Sequence, residues 1–221
     1  MPKAVIFDVD GTLLDSVDGH ARSWVDAFQE WGHDIPFDAM RPHIGKGGDT
    51  LMPEFLRPDE LQRIGKALEE RRGVILKERY LPQFKSFPDA AALLRAVRER
   101  GTRVALASSA KADELQEYKR LIGIEGLVDI ETTSDDAEHS KPAPDIFEAA
   151  LRKLGLPASD AVALGDTPYD AQAAGKAGLR CVGVTCGGWN EAALREAGCE
   201  AVYRDPADLL RQLGASPLAA P

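Results

Sequence analysis

Three short runs in this chain are apolar from end to end, AVIF at 4–7, VALA at 104–107 and AVAL at 161–164, and each meets a polar or acidic residue within two positions of its end. A half-solvated strand alternates apolar and polar side chains, so an uninterrupted run implies a strand covered by helices on both faces. Further β-rich runs fall at 128–130, 181–184 and 201–203, and helical periodicity fills 89–100, 112–121, 143–153, 169–177 and 191–197. Strands alternating with helices predict an α/β fold built on a doubly wound parallel sheet.

One interval breaks the rhythm. Roughly ninety residues separate the first run from the second, where a parallel crossover needs about a dozen. Inside it Ala21, Trp24, Val25, Phe28 and Trp31 recur at helical spacing, and Leu61, Ile64, Leu68 and Ile75 follow the same period. The expected layout is a core from residues 1–16 and 82–221 carrying a small helical cap domain at 17–81, with the aromatic stripe as cap core and with Pro82 and Pro88 beside the return. A chain of 221 residues, 44% hydrophobic and 29% charged, suits one core with such an insertion. Asp49 is read as the cap of a helix over 50–55, and the final GASPLAAP as a frayed tail.

The net charge of −9 has no basic patch to offset it, which argues against nucleic acid and anionic membrane surfaces as partners. No stretch approaches the about 18 consecutive apolar residues of a membrane span, and the N-terminal MPKAVIFDVD does not read as a signal peptide, so a cytoplasmic protein is expected. Cys181, Cys186 and Cys199 lack CxxC spacing and are read as reduced thiols.

Chemistry is concentrated where the runs end. Asp8 and Asp10 follow the first run, and Gly11 permits a tight turn that lets both face one cavity at the carboxyl edge of the sheet. An isolated DxD would read as a solvated turn. Here GDTPYD at 165–170 adds Asp166 and Asp170 at the same expected edge, and oxygen ligands in such numbers suit a hard cation, Mg²⁺ by default. Ser108 and Ser109 follow VALA with a helix N-terminus suited to an anionic oxygen, and Lys141 in SKPAPD would offset both a phosphate and the aspartates.

Together these residues resemble the haloacid dehalogenase superfamily of hydrolases, along essentially the whole chain. DVDGT at 8–12, Ser108 after VALA, Lys141 in SKPAPD and GDTPYD at 165–170 look like the four motifs of that superfamily in their order. A helical insertion between the first two resembles the branch of phosphoglycolate phosphatases and β-phosphoglucomutases, whose core is Rossmann-like. The resemblance implies a Mg²⁺-dependent phosphatase acting on a small phosphorylated metabolite, phosphoglycolate or a sugar phosphate. It implies Asp8 as nucleophile forming an aspartyl-phosphate and Asp10 as acid and then base. Thr12, Ser108, Ser109 and Lys141 would grip the phosphoryl oxygens. Asp8, Asp166 and the Asp10 backbone carbonyl would hold the metal, with Asp170 acting through water or orientation. Asp10 sets the chain apart from the superfamily's carbon–halogen and phosphonate hydrolases.

In the cap, Lys46 and Gly47 of the glycine-rich IGKGGD lie where such a loop reads the leaving group, with substrate contact and surface charge both open for Lys46. His20 resembles a cap-hinge histidine of β-phosphoglucomutases, which keeps a sugar-phosphate mutase as the alternative. A non-catalytic phospho-receiver is the alternative of another class. The expected assembly is a monomer or a homodimer.

Overall fold

The computed structural model describes residues 1–219. The chain divides into two compact units, one formed by Met1–Asp15 with the chain from Lys85 onward, the other by Ser16–Phe84. Eight strands belong to the first unit. In chain order they are β1 (Ala4–Phe7), β2 (Leu14–Asp15), β3 (Lys85–Ser86), β4 (Arg103–Ala107), β5 (Ile130–Thr132), β6 (Ala161–Gly165), β7 (Arg180–Val184) and β8 (Cys199–Tyr203).

Six of these form a parallel sheet in the order β5-β4-β1-β6-β7-β8. Chain order reverses at β1, which places its carboxyl end at the switch point where such sheets bind ligands. Every residue of β1 and β6 is buried, as a sheet covered on both faces requires. Ala4 and Ile6 join Ala105, Ala163 and the inner face of helix Asp145–Leu154, through Ile146, Phe147, Ala150 and Leu154, in one apolar cluster. Val5 and Phe7 point to the opposite face by strand alternation and are fully buried there. Helices Ala90–Glu99, Ala112–Ile122, Pro168–Lys176 and Glu191–Glu196 complete the cover.

Five details differ from expectation. The strand expected at 128–130 lies at Ile130–Thr132, because Thr132 is fully buried with its hydroxyl on the Leu106 carbonyl at 3.2 Å. The antiparallel ribbon β2–β3 and the helix Pro206–Arg211 were not anticipated. Asp49 does not cap a six-residue helix: it sits inside the short helix Gly48–Leu51, whose N-cap is Gly47, and a 3-10 turn Met52–Glu54 follows. The tail is packed as far as it is described, with Ser216 and Leu218 buried, because Leu218 is apolar and the Ser216 hydroxyl is satisfied by the Leu213 carbonyl at 2.8 Å; residues 220–221 of the expected tail lie outside the described residues.

The second unit is helical, with Val17–Glu30 and Pro58–Ile75 as its long elements. Trp24, Phe28, Met40, Leu51, Leu68 and Ile75 form its buried core, so the aromatic stripe is packing.

Candidate active site at the carboxyl edge of the sheet

Backbone hydrogen bonding carries Asp8 past the end of β1. Its amide donates to the Leu164 carbonyl at 2.8 Å, which brings the Asp8 side chain against the end of β6 and therefore against Asp166. The chain must then turn at once, and Gly11 does so with a positive φ of 79°, a conformation that costs a side-chain-bearing residue about 1–2 kcal/mol. Thr12 follows, fully buried, donating its hydroxyl to Asp8 Oδ2 at 2.8 Å and lying 3.2 Å from Asp166 Oδ1.

Lys141 comes from a different loop and is only 2% exposed. Its ammonium donates to Asp8 Oδ1 at 2.6 Å and to the Ala107 carbonyl at 3.2 Å and is ion-paired with Asp170 Oδ1 at 2.7 Å. Burial works against that charge, but Asp170 and Asp8 outweigh it and hold the ammonium above its ordinary range. Asp170 is fixed from the other side. At the third position of helix Pro168–Lys176 its Oδ2 accepts from the Thr167 amide at 3.1 Å and the Thr167 hydroxyl at 2.6 Å, in a capping box.

Asp8, Asp166 and Asp170 each offer one carboxylate oxygen, and these oxygens all lie within 4.8 Å of one another. Three acids thus face one ammonium. Burial pushes the Asp8 carboxyl up to about 7 against the opposing pull of Lys141, and burial, with the charges of Asp8 and Asp170, pushes Asp166 well above its ordinary range. Asp166 Oδ2 is buried with no hydrogen-bond partner among the described residues. An oxygen-only cluster with surplus negative charge and an orphaned carboxylate oxygen fits a hard divalent cation, which would reverse both upward shifts.

The remaining candidates are distributed as follows. Asp10 is partly exposed, and its carboxylate stands outside the three-oxygen cluster. Ser108 continues β4 directly after Ala107, the residue whose carbonyl Lys141 engages; it is fully buried, its Oγ accepts from the Ala110 amide at 3.1 Å, and Ser109 beside it is partly exposed. Thr12 departs from a simple phosphate-gripping role in one respect: its hydroxyl hydrogen is committed to Asp8.

His20, Lys46 and Gly47 belong to the second unit. Lys46 is not a solvated surface charge. Its side chain is 11% exposed and its ammonium contacts Glu54 at 2.7 Å and His43 Nδ1 at 3.1 Å. His20 is buried, with Nδ1 against the Arg72 guanidinium and its ring tilted over Phe84 at 5.4 Å. Arg72, which also stacks 5.3 Å from the Trp24 ring, carried no sequence signal beyond its place on an amphipathic helix. Among the thiols, Cys181 and Cys199 are buried and all three are free.

Residues 2–178 match the family model for haloacid dehalogenase-like hydrolases, and the chain belongs to that family. It is a hydrolase, which sets the receiver-module alternative aside. It is similar to the phosphorylated carbohydrates phosphatase of Thermotoga maritima, at 27% identity over 96% of this chain and 98% of that protein. The chloroplast protein SUPPRESSOR OF QUENCHING 1 of Arabidopsis thaliana is 33% identical over 91% of this chain, but the match spans only 19% of that protein's length. A solved structure, that of a hydrolase from Pseudomonas syringae, superimposes with a TM-score of 0.86 at 29% identity, covering 96% of this chain and 98% of the other. Among the described residues no helix is long and apolar enough to cross a membrane.

Proposed function

We propose that this hydrolase is a Mg²⁺-dependent phosphatase of a small phosphorylated metabolite, phosphoglycolate or a sugar phosphate, working through an aspartyl-phosphate on Asp8. The observation that carries the reading is the buried cluster of Asp8, Asp166 and Asp170 around Lys141 at the sheet switch point. The Thermotoga phosphatase supports the substrate class by its name.

Asp8 attacks the phosphorus while Lys141, 2.6 Å from its Oδ1, favours the ionised carboxylate that attack requires. Thr12 holds the other oxygen of Asp8, which limits rotation of the nucleophile. Asp10, partly exposed and outside the cluster, protonates the leaving oxygen and then takes a proton from the water that hydrolyses the acyl phosphate. Ser108, Ser109 and Lys141 bind the phosphoryl oxygens. A bound Mg²⁺ would be held by Asp8, Asp166 and the Asp10 carbonyl and would supply positive charge to the transferring phosphoryl group. Asp170 keeps Lys141 aimed at Asp8 through its own 2.7 Å contact. Because uncatalysed phosphate-monoester hydrolysis is among the slowest reactions, with enhancements up to about 10²¹, most of the acceleration must come from charge and positioning. Proton transfer adds about 10² to 10⁴.

The test is a panel of phosphoglycolate, glucose phosphates, nucleotides and pyrophosphate with Mg²⁺, read for released phosphate and for isomerised product. Selective phosphate release is expected. Isomerisation without release would replace this reading with that of a mutase, and no reaction across a broad panel would remove it.

A further inference from the structure

The loop after β7 carries Cys186 and Gly187, and neither has a part in the chemistry described above. Cys186 Sγ lies 3.2 Å from the carbonyl of Gly11, which ties this loop to the turn that follows Asp8. Gly187 faces the other acid. A methyl group added at Gly187 would overlap Asp166 Oδ2 outright and would come within 2.5 Å of Asp166 Cγ and 2.8 Å of its Cβ. Gly187 has no need of glycine for its backbone, since its φ lies outside the left-handed region, whereas that of Gly188 beside it is 107°. The requirement at 187 is therefore one of space, and the space is filled by the acid.

We infer that Gly187 is a positioning residue for the metal site: the absence of its side chain makes the notch in which the Asp166 carboxylate is seated. Rotating Asp166 cannot relieve a side chain here, because its Cβ is among the obstructed atoms and does not move with χ1. Asp166 is 1% exposed, so the alternatives are a shift of its backbone or of the 186–188 loop. Either would move Oδ2, the oxygen that has no hydrogen-bond partner among the described residues, and with it the 4.8 Å cluster. Asp170 shows the same arrangement. A methyl group at Gly165 would lie 2.5 Å from Asp170 Cβ and Cγ, so the two acids of this motif each occupy a glycine's missing side chain.

This inference rests on the reading of Asp166 as a metal ligand. The test measures Mg²⁺ binding by calorimetry for the wild type, Gly187→Ala, Asp166→Asn and the control Gly175→Ala, where an added methyl group meets nothing within 4 Å. Supporting groups around metal ligands typically change metal affinity roughly 10–100-fold. A weakening of that size is expected in Gly187→Ala, with activity returning as Mg²⁺ is raised, while Gly175→Ala binds as the wild type does. If Asp166→Asn binds Mg²⁺ normally, the metal reading fails and this inference with it. If Asp166→Asn loses the metal but Gly187→Ala does not, the inference alone is overturned. Should Gly187→Ala not fold, the double variant with Asp166→Gly decides, because that change removes all three obstructed atoms. Restored folding supports the notch, and continued failure to fold overturns it.

Discussion

At Asp208 the carboxylate accepts from the Arg204 amide and guanidinium at 3.1 Å each, from Arg211 at 3.0 Å and from Gln212 at 3.3 Å. At Asp166 one oxygen lies 3.2 Å from the Thr12 hydroxyl and the other, buried, has no partner among the described residues. Hydrogen bonds from Arg204 hold Asp208 well below the ordinary carboxylate range, whereas burial pushes Asp166 well above it. A carboxylate surrounded by donors stabilises the fold that surrounds it. A buried one short of donors opposes folding and persists where something outside the chain completes it. The contrast separates an acid satisfied within the fold from one that the fold leaves short of donors, without reference to any motif.

The largest effect should come from Asp8, the proposed nucleophile. Asp8→Asn preserves the shape of the side chain and its neighbours but removes the attacking charge, so turnover is expected to vanish while the circular dichroism spectrum stays that of the folded protein. Measurable turnover in that variant would place the nucleophile elsewhere. Asp10→Asn should lower kcat by about two to four decades, the usual contribution of a positioned acid and base. Its KM should change far less, and steady-state kinetics that moved KM alone would make Asp10 a binding group.

The parts of this picture that could be read in the sequence are those that depend on neighbours along the chain. AVIF, VALA and AVAL declare buried strands because every residue in them is apolar, and DVDGT and GDTPYD declare acids at strand ends because the acids directly follow those runs. What depends on distant segments was not legible. The ribbon pairs Leu14 with Ser86 and Asp15 with Lys85, two residues on each side, too short for any periodicity. The helix Pro206–Arg211 had a cap signal in Asp205, which accepts from Asp208 at 2.7 Å, but is only six residues long. The notch at Gly187 is a fact about which side chain approaches it, and a glycine in a GGW string carries no mark of that. Arg72 beside His20 is the same case, since 52 positions separate the partners.

A stability measurement sharpens the comparison from the other direction. Lys141 is the only cation the structure brings into the acidic cluster among the described residues, so Lys141→Met leaves three buried carboxylates facing one another. Removing one member of a buried ion pair typically costs about 3–5 kcal/mol. Urea unfolding at pH 7.5 should show a loss of that order in Mg²⁺-free buffer, and added Mg²⁺ should recover part of it by binding only the folded state. No loss on removing Lys141 would mean that the acids are already neutral in the folded protein.

Asp208→Asn should give the smallest effect and the clearest contrast. The guanidiniums of Arg204 and Arg211 are exposed, and screening keeps such pairs to about 1 kcal/mol or less, so the unfolding temperature should fall by about one to three degrees, with phosphate release unchanged. The pH dependence fixes the sign. Because hydrogen bonds from Arg204 depress the folded-state pKa of Asp208, its contribution is present above the unfolded value of about 3.9 and is lost as the pH falls through the folded value. The gap in unfolding temperature between wild type and variant should therefore hold steady from pH 5 to 8, a window set only by lying above about 4, and narrow below it. A gap that widened in acid would show that the folded state raises the pKa of Asp208 instead of depressing it. A loss of activity would remove the distinction between the two acids, because it would join the Arg204 network to the chemistry at Asp166.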